Sequence, residues 1–408
     1  MPVEGDNMMG VKRNNRSAVL HILHRYGSTS RKRLSETIKL TPAAITKIVG
    51  EMLAEGLLTE GAAVPSGGAG RREILLQLNS NAMCALGVLI NLRQAILSGV
   101  RLDGSVIFSE EIPLPPKADA VEWVPRLADR LMALTAQNGL PREKLIGIGI
   151  AVRGITSADE RSVHDSFGAL LQANDPLCRR FEQLTGLPTV LANNVRALFA
   201  AQMFLSKDEG IGSQFFLRCE YGIGASLSIR DRIWPGASQQ CSEIGHIPLV
   251  RRGGKLCSCG KTGCLETVAS PTAILEDSLA ILSPEATPVL WKIRENKPSL
   301  EIGDVLEAAR NGDQGVAAVV DRAVAALAGA LKSVIFLIDP GRIVLYGRLF
   351  DNSYYLARLQ AEMREGVDLR HAVAVELSRF NRQLEDKAAG LLMVQRFFDN
   401  GGIPEESA

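Results

Sequence analysis

The residues best placed to do chemistry lie in one stretch. His246, Cys257, Cys259 and Cys264 follow the spacing H-x10-C-x-C-x4-C. Three thiolates and one imidazole make a closed tetrahedral donor set with no position left for water, so the spacing predicts a structural Zn2+ site; the competing readings are free reduced cysteines on a loop, or His246 as a core histidine with the fourth ligand from elsewhere. Gly253, Gly254, Gly260 and Gly263 allow the tight turns that bring these ligands together. The remaining cysteines, Cys84, Cys178, Cys219 and Cys241, are scattered singly and read as buried thiols. Seven cysteines, three of them within eight positions, suit metal binding rather than a disulfide framework.

Charge locates a second chemistry. The 408 residues carry a formal charge of +1, with 22% charged and 46% hydrophobic residues, which excludes a disordered polyelectrolyte and predicts globular domains. Residues 1–80 hold eleven basic and seven acidic side chains (+4), and the rest is −3. Between residues 11 and 47, Lys12, Arg13, Arg16, Arg25, Arg31, Lys32, Arg33, Lys39 and Lys47 face Glu36 alone. A polyanion partner is the expectation from this asymmetry. The amino terminus has no secretory pattern and the apolar runs are short, so the compartment reads as cytoplasmic with no membrane role.

The elements that position those charges are helical. Val19, Leu20, Ile22 and Leu23 form one face of a helix over Arg16–Tyr26, and Ser30 can cap a short second helix. Thr41-Pro42 opens a third, with the stripe Ile45, Ile48, Val49, Met52 and Leu53. Thr41, Ala43, Thr46 and Lys47 then project from the first turns of that helix, where a recognition helix meets base edges, while Arg31, Lys32 and Arg33 cross the backbone. Residues 58–78 read as two strands around a glycine-rich tip whose Arg71 and Arg72 suit phosphates or a narrow minor groove. The sum is a winged helix-turn-helix for double-stranded operator DNA. A three-helix protein-interaction module is the competing reading.

From Ala82 the pattern becomes α/β. Strands are expected at Ala85–Ile90, Ala95–Val100, Val106–Ile112 and Leu145–Val152, with a helix at Val121–Asn138. A second succession runs through Phe215–Ile229 and Ile343–Tyr346 with a long helix from Gln314. Two α/β lobes around a cleft is the architecture implied.

Glu243-Ile244-Gly245-His246, followed by Cys257-Ser258-Cys259-Gly260-Lys261-Thr262-Gly263-Cys264-Leu265-Glu266, closely resembles the ROK family of sugar kinases and sugar-responsive repressors. The amino-terminal module resembles that of the repressor branch. The resemblance implies a two-lobed, actin-like (ribonuclease-H-like) body with residues 1–80 as the DNA-binding domain. The first lobe would be 81–192, with a helix at about 384–400 packing back on it, and the second lobe 193–383. It also implies sugar-hydroxyl contacts from Glu243, His246 and Glu266, with Asn193 and Asn194 as further partners and Ser166, Arg153 and Gly154 near the cleft.

The same resemblance argues against phosphotransfer. The family's catalytic aspartate, in an N-D-x-N stretch, is matched by Asn194, and an amide cannot take up a hydroxyl proton. Leu89–Arg93 lacks the aspartate and glycines of the first phosphate loop, Glu220–Gly224 puts a carboxylate in the second, and Tyr346-Gly347-Arg348 reduces the paired glycine of the third. The expectation is a DNA-binding regulator, a repressor of carbohydrate-metabolism genes. It would sense a sugar or sugar phosphate, work as a homodimer or tetramer and catalyse nothing. The alternative is an ATP-dependent sugar kinase fused to a DNA-binding domain, and a third reading is a module that docks a transport protein.

Overall fold

The computed structural model describes residues 8–64, 73–114, 120–165, 171, 174–207, 210–365 and 373–405. The chain divides into two compact units: residues 1–207 joined by 383–408, and residues 208–382.

The first unit begins with α1 (Met8–Tyr26), β1 (Thr29–Ser30), α2 (Arg31–Ile38), α3 (Pro42–Ala54), β2 (Leu58–Val64) and β3 (Glu73–Leu78). Local chemistry fixes the boundaries. Ser30 caps α2 by accepting the Arg33 N–H, and Thr41 caps α3 by accepting the Ala44 N–H with Pro42 just inside. Leu20, Leu23, Leu34, Ile45, Val49 and Met52 meet in the core of this module, and β1, β3 and β2 form a small antiparallel sheet in that order. The strand pair flanks the expected wing, whose tip, with Arg71 and Arg72, lies outside the described residues.

The chain then builds a five-stranded sheet from β4 (Cys84–Ile90), β5 (Gln94–Arg101), β6 (Val106–Pro113), β7 (Leu145–Val152) and β10 (Thr189–Asn193), ordered β10-β7-β4-β5-β6. Helices α4 (Ala120–Gln137), α5 (Leu177–Thr185) and α6 (Asn194–Ser206) connect and follow these strands, and β8 (Ile155–Thr156) pairs with β9 (Val163–Asp165). Leu86, Val88, Ile148 and Ile150 point to the α4–α5 side with Trp123, Leu127 and Phe181. Strand alternation turns Gly149 the other way, where a Cβ would stand 1.8 Å from Ala389 O.

The second unit repeats this order. Its sheet is β13-β12-β11-β14-β15, from β11 (Ser213–Cys219), β12 (Ile223–Ile229), β13 (Arg232–Ile233), β14 (Arg342–Tyr346) and β15 (Ala374–Leu377). Between β13 and β14 come α7 (Glu266–Ala269), α8 (Pro271–Ala280), α9 (Pro288–Glu295), α10 (Ile302–Arg310) and α11 (Gln314–Ile338). After β14 follow α12 (Arg348–Asp351) and α13 (Ser353–Arg364). Val320, Leu327 and Leu331 of α11 pack with Leu217, Leu345, Tyr355 and Leu359. In both sheets an antiparallel succession is extended by two parallel strands.

The last helix, α14 (Glu385–Asp399), returns to the first unit against β4, β5, β7 and α6. The first unit runs through Lys207, not only to residue 192, because α6 packs on α14. No helix among the described residues is long and apolar enough to cross a membrane.

Candidate functional site

The ligand atoms of His246, Cys257, Cys259 and Cys264 all lie within 4.8 Å of one another. Cys259 Sγ is 3.7 Å from Cys264 Sγ, and Cys257 Sγ is 3.5 Å from His246 Nδ1. A tetrahedron of ~2.3 Å metal–sulfur bonds has an edge of about 3.8 Å, so these two separations match the donor spacing of a metal ion such as Zn2+. Backbone bonds shape the loop: Cys257 N–H donates to Lys261 O, and Leu249 and Val250 N–H both donate to Gly263 O. Lys255 and Arg322 both pair with Asp277, tying the loop to α8 and α11. Burial pushes the Cys264 thiol up to about 12. Burial acts the same way on Cys259, but the Lys261 backbone N–H and the neighbouring thiols outweigh it and hold that thiol below its usual value. A bound divalent cation supplies the charge that ionises such a set.

His246 turns Nδ1 to the thiols and leaves Nε2 4.0 Å from Glu243 Oε2, so a carboxylate stands behind the ligating ring. Glu266, the first residue of α7, accepts the Ile223 N–H at 2.9 Å through Oε2, so part of its carboxylate fixes the start of β12.

The stretches compared with phosphate loops make local contacts of their own. Leu89 and Ile90 belong to β4, and Asn91 N–H bonds Gln94 O in the tight turn to β5. Glu220 forms an ion pair with Arg348 Nε at 2.5 Å and accepts the Arg348 backbone N–H at 3.0 Å, while the guanidinium lies 6.0 Å from the Tyr221 ring centre. One arginine thus bridges the second and third stretches. In the first unit, Asn193 is the N-cap of α6. Its Oδ1 accepts the Val195 and Arg196 N–H groups and its Nδ2 donates to Gly154 O. Asn194 opens the helix and is buried. Ser166 lies outside the described residues.

On the amino-terminal module, Thr41, Ala43, Thr46 and Lys47 are exposed together at the start of α3, opposite its buried stripe. Two of the hydroxyls are engaged at home: Thr41 caps the helix and Thr46 donates to Pro42 O. Lys32 and Arg33 are exposed in the first turn of α2, with Arg33 5.9 Å from the Tyr26 ring centre. Arg31 pairs with Glu60 of β2 at 2.8 Å.

The ROK family profile matches residues 101–392, well over half of the chain. The chain belongs to the ROK family. It is 27% identical over 343 residues to the DNA-binding transcriptional dual regulator NagC of Escherichia coli, covering 83% of this chain and 81% of that protein. It is 27% identical to the transcriptional repressor Mlc of the same organism over 396 residues, 96% and 95% of the two chains. A glucokinase of Halalkalibacterium halodurans is also 27% identical, over 60% of this chain and 74% of its own. A crystal structure of a ROK transcriptional regulator, a homologue of E. coli Mlc, superposes with a TM-score of 0.78 at 24% identity over 96% of this chain and 98% of its own. A ROK glucokinase from Streptomyces griseus bound to glucose and AMPPNP gives 0.63 at 22% identity over 76% and 98%. These superpositions establish the ROK, actin-like fold.

Within this ROK chain the structure assigns several residues differently from their sequence context. Arg16, counted among the polyanion-facing charges, is only 2% exposed and forks onto Glu55. Glu220 and Arg348 look like two separate departures in the sequence, whereas in the fold they are partners. Cys84, Cys178 and Cys219 are buried thiols, with burial raising Cys84 to about 11 and Cys178 to about 12, but Cys241 is only half-buried beside Ser242 Oγ.

Proposed function

We infer that this protein is a sugar-responsive, DNA-binding transcriptional regulator that represses carbohydrate-metabolism genes and no longer transfers phosphate. The observation that carries the reading is the pairing of two features in one chain. An exposed Thr41–Lys47 face tops a basic helix-turn-helix, and Glu220 and Arg348, at the second and third stretches that a kinase would use for phosphate, are paired with each other. The regulators NagC and Mlc, each 27% identical, support it.

In this reading α3 enters the major groove, with Thr41, Ala43, Thr46 and Lys47 toward base edges and Arg31, Lys32, Arg33, Arg71 and Arg72 toward phosphates. The metal centre holds Zn2+ through His246 Nδ1, Cys257, Cys259 and Cys264, and rigidifies the loop that carries Glu243. Glu243, His246 Nε2 and the outer oxygen of Glu266 take sugar hydroxyls. Asn194 offers an amide that can hydrogen-bond a hydroxyl but cannot act as its base. Asn193 is the weaker candidate of the two, since it already caps α6. A homodimer or tetramer in the cytoplasm would present paired recognition helices to a two-fold operator, and a sugar that prefers one conformation would shift the population that binds DNA.

Fluorescence anisotropy on duplexes selected from random sequence, with and without N-acetylglucosamine, glucose, xylose and their phosphates, tests the reading. Salt-sensitive binding changed by one of the sugars is expected. A coupled ADP-release assay is the counter-test, and turnover at ordinary kinase rates of ~1–100 per second would overturn the non-enzymatic half.

A further inference from the structure

The helix-turn-helix is joined to the sheet of its own unit by a tightly made seam. His24, near the end of α1, stacks on Phe204 of α6 with ring centres 3.7 Å apart, and its Nε2–H donates to Phe204 O at 2.9 Å. Phe398 of α14 completes the cluster, edge-on to His21 and His24 at 5.7 and 5.9 Å. His21 Nε2 lies 2.9 Å from Asp399 Oδ1. One turn further, Arg16 Nε donates to Gly401 O at 2.7 Å while its two terminal nitrogens hold the Glu55 carboxylate at the carboxy-terminal end of α3. Gly401 has φ +70° and sits so close that a Cβ would meet Arg13 O at 2.7 Å.

These contacts form a continuous chain. The start of α6 is set by Asn193 and its end by the His24 stack. α6 is laced to α14 by Gln395 Nε2 donating to Ala200 O at 2.9 Å. The turn after α14 grips Arg16, and Arg16 grips the recognition helix. None of His21, His24, Phe204 or Asp399 lies on the Thr41–Lys47 face, so DNA contact does not account for them.

We propose that the His24–Phe204–Phe398 seam, with Arg16 bridging Gly401 to Glu55, is the joint through which α6 and α14 set the orientation of α3, and that His24 is its positioning residue. The proposal rests on the DNA-binding reading above and names how that activity is governed. A displacement of α6 or α14 moves α3 as a rigid follower because the joint is packed and hydrogen-bonded rather than a loose linker.

The test uses the full chain and two readouts. Hydrogen exchange on the free protein should show faster exchange of α1 amides in His24→Ala and in His21→Ala/His24→Ala, with α4 and α5 unchanged. On a selected duplex, the double variant should shift affinity by about fivefold or more, the usual lower range of a coupling effect. The slope of log affinity against log salt should stay as in the parent protein, because no phosphate contact is removed. A Lys32→Ala control, at an exposed residue read as a phosphate contact, should reduce that slope by about one. Unchanged affinity, or a slope reduced as in the control, would overturn the joint. Unchanged α1 exchange overturns it without reference to DNA. If the parent protein binds no duplex at all, the failure lies with the DNA-binding reading, and the exchange experiment still decides the seam.

Discussion

The two units share a strand order and differ in where they keep their specialised residues. In the second unit the sheet is a platform for loops: the thiol cluster, Glu243, and the Glu220–Arg348 pair all lie off the strand ends. In the first unit, described contacts of that kind run along helices α6 and α14 to the amino-terminal module. One strand order thus carries a donor cluster on its loops in the second unit and helix-borne contacts to the amino-terminal module in the first. Lesions in the two regions should then separate cleanly.

The largest effect should come from the metal loop. If the cluster holds Zn2+ as proposed, Cys259→Ser, at a half-buried member of it, should lose the metal and about 4 kcal/mol or more of stability. Elemental analysis with thermal unfolding checks both, and a fully stable, metal-free variant would show that the four residues are mere neighbours.

The first unit should respond to acid instead. Burial against Phe204 lowers His24 from 6.5 to about 4, its carbonyl bond and Asp103 opposing, Lys207 and His21 assisting. Since the unfolded state binds the proton more readily, the contribution of His24 is complete above pH 6.5 and is lost as pH falls toward 4. It amounts to roughly 3 kcal/mol. His24→Ala should flatten that part of the stability–pH curve in denaturant titrations, and a curve unchanged in shape would sink the assignment.

Smaller effects sharpen the division. Lys47→Ala should weaken duplex binding about tenfold by anisotropy and leave any sugar-induced thermal shift unaltered. Glu220→Ala should cost only about 1 kcal/mol in chemical denaturation, since Arg348 is 40% exposed and can be rehydrated. Smallest of all, Asn194→Asp should yield no sugar-dependent ADP release, because a restored base still faces stretches without the aspartate and glycines of the family's phosphate loops.

Much of this was readable in advance. The metal spacing, the capped α3 with its apolar stripe, and the strands at Cys84–Ile90 and Leu145–Val152 all rest on short-range periodicity and turn chemistry, which a sequence displays directly. Long-range partnerships do not show in that way. Nothing near Arg16 marks it as a buried clasp rather than a DNA-facing charge, since its partners are Glu55 and, 385 residues away, Gly401. Asn193 carries the residue type expected of a hydroxyl ligand, yet the β10–α6 junction takes its oxygen as a cap. Glu266 is similar, because whether a carboxylate faces solvent or a backbone N–H depends on a strand 43 residues earlier.

The Arg16–Gly401 bond also bears on synthesis. The residue whose carbonyl meets Arg16 is made 385 positions after it, about 20–80 s later at usual elongation rates. A nascent chain therefore lacks the carbonyl that Arg16 Nε meets until translation has reached residue 401, while the local Arg16–Glu55 pair needs no residue beyond 55.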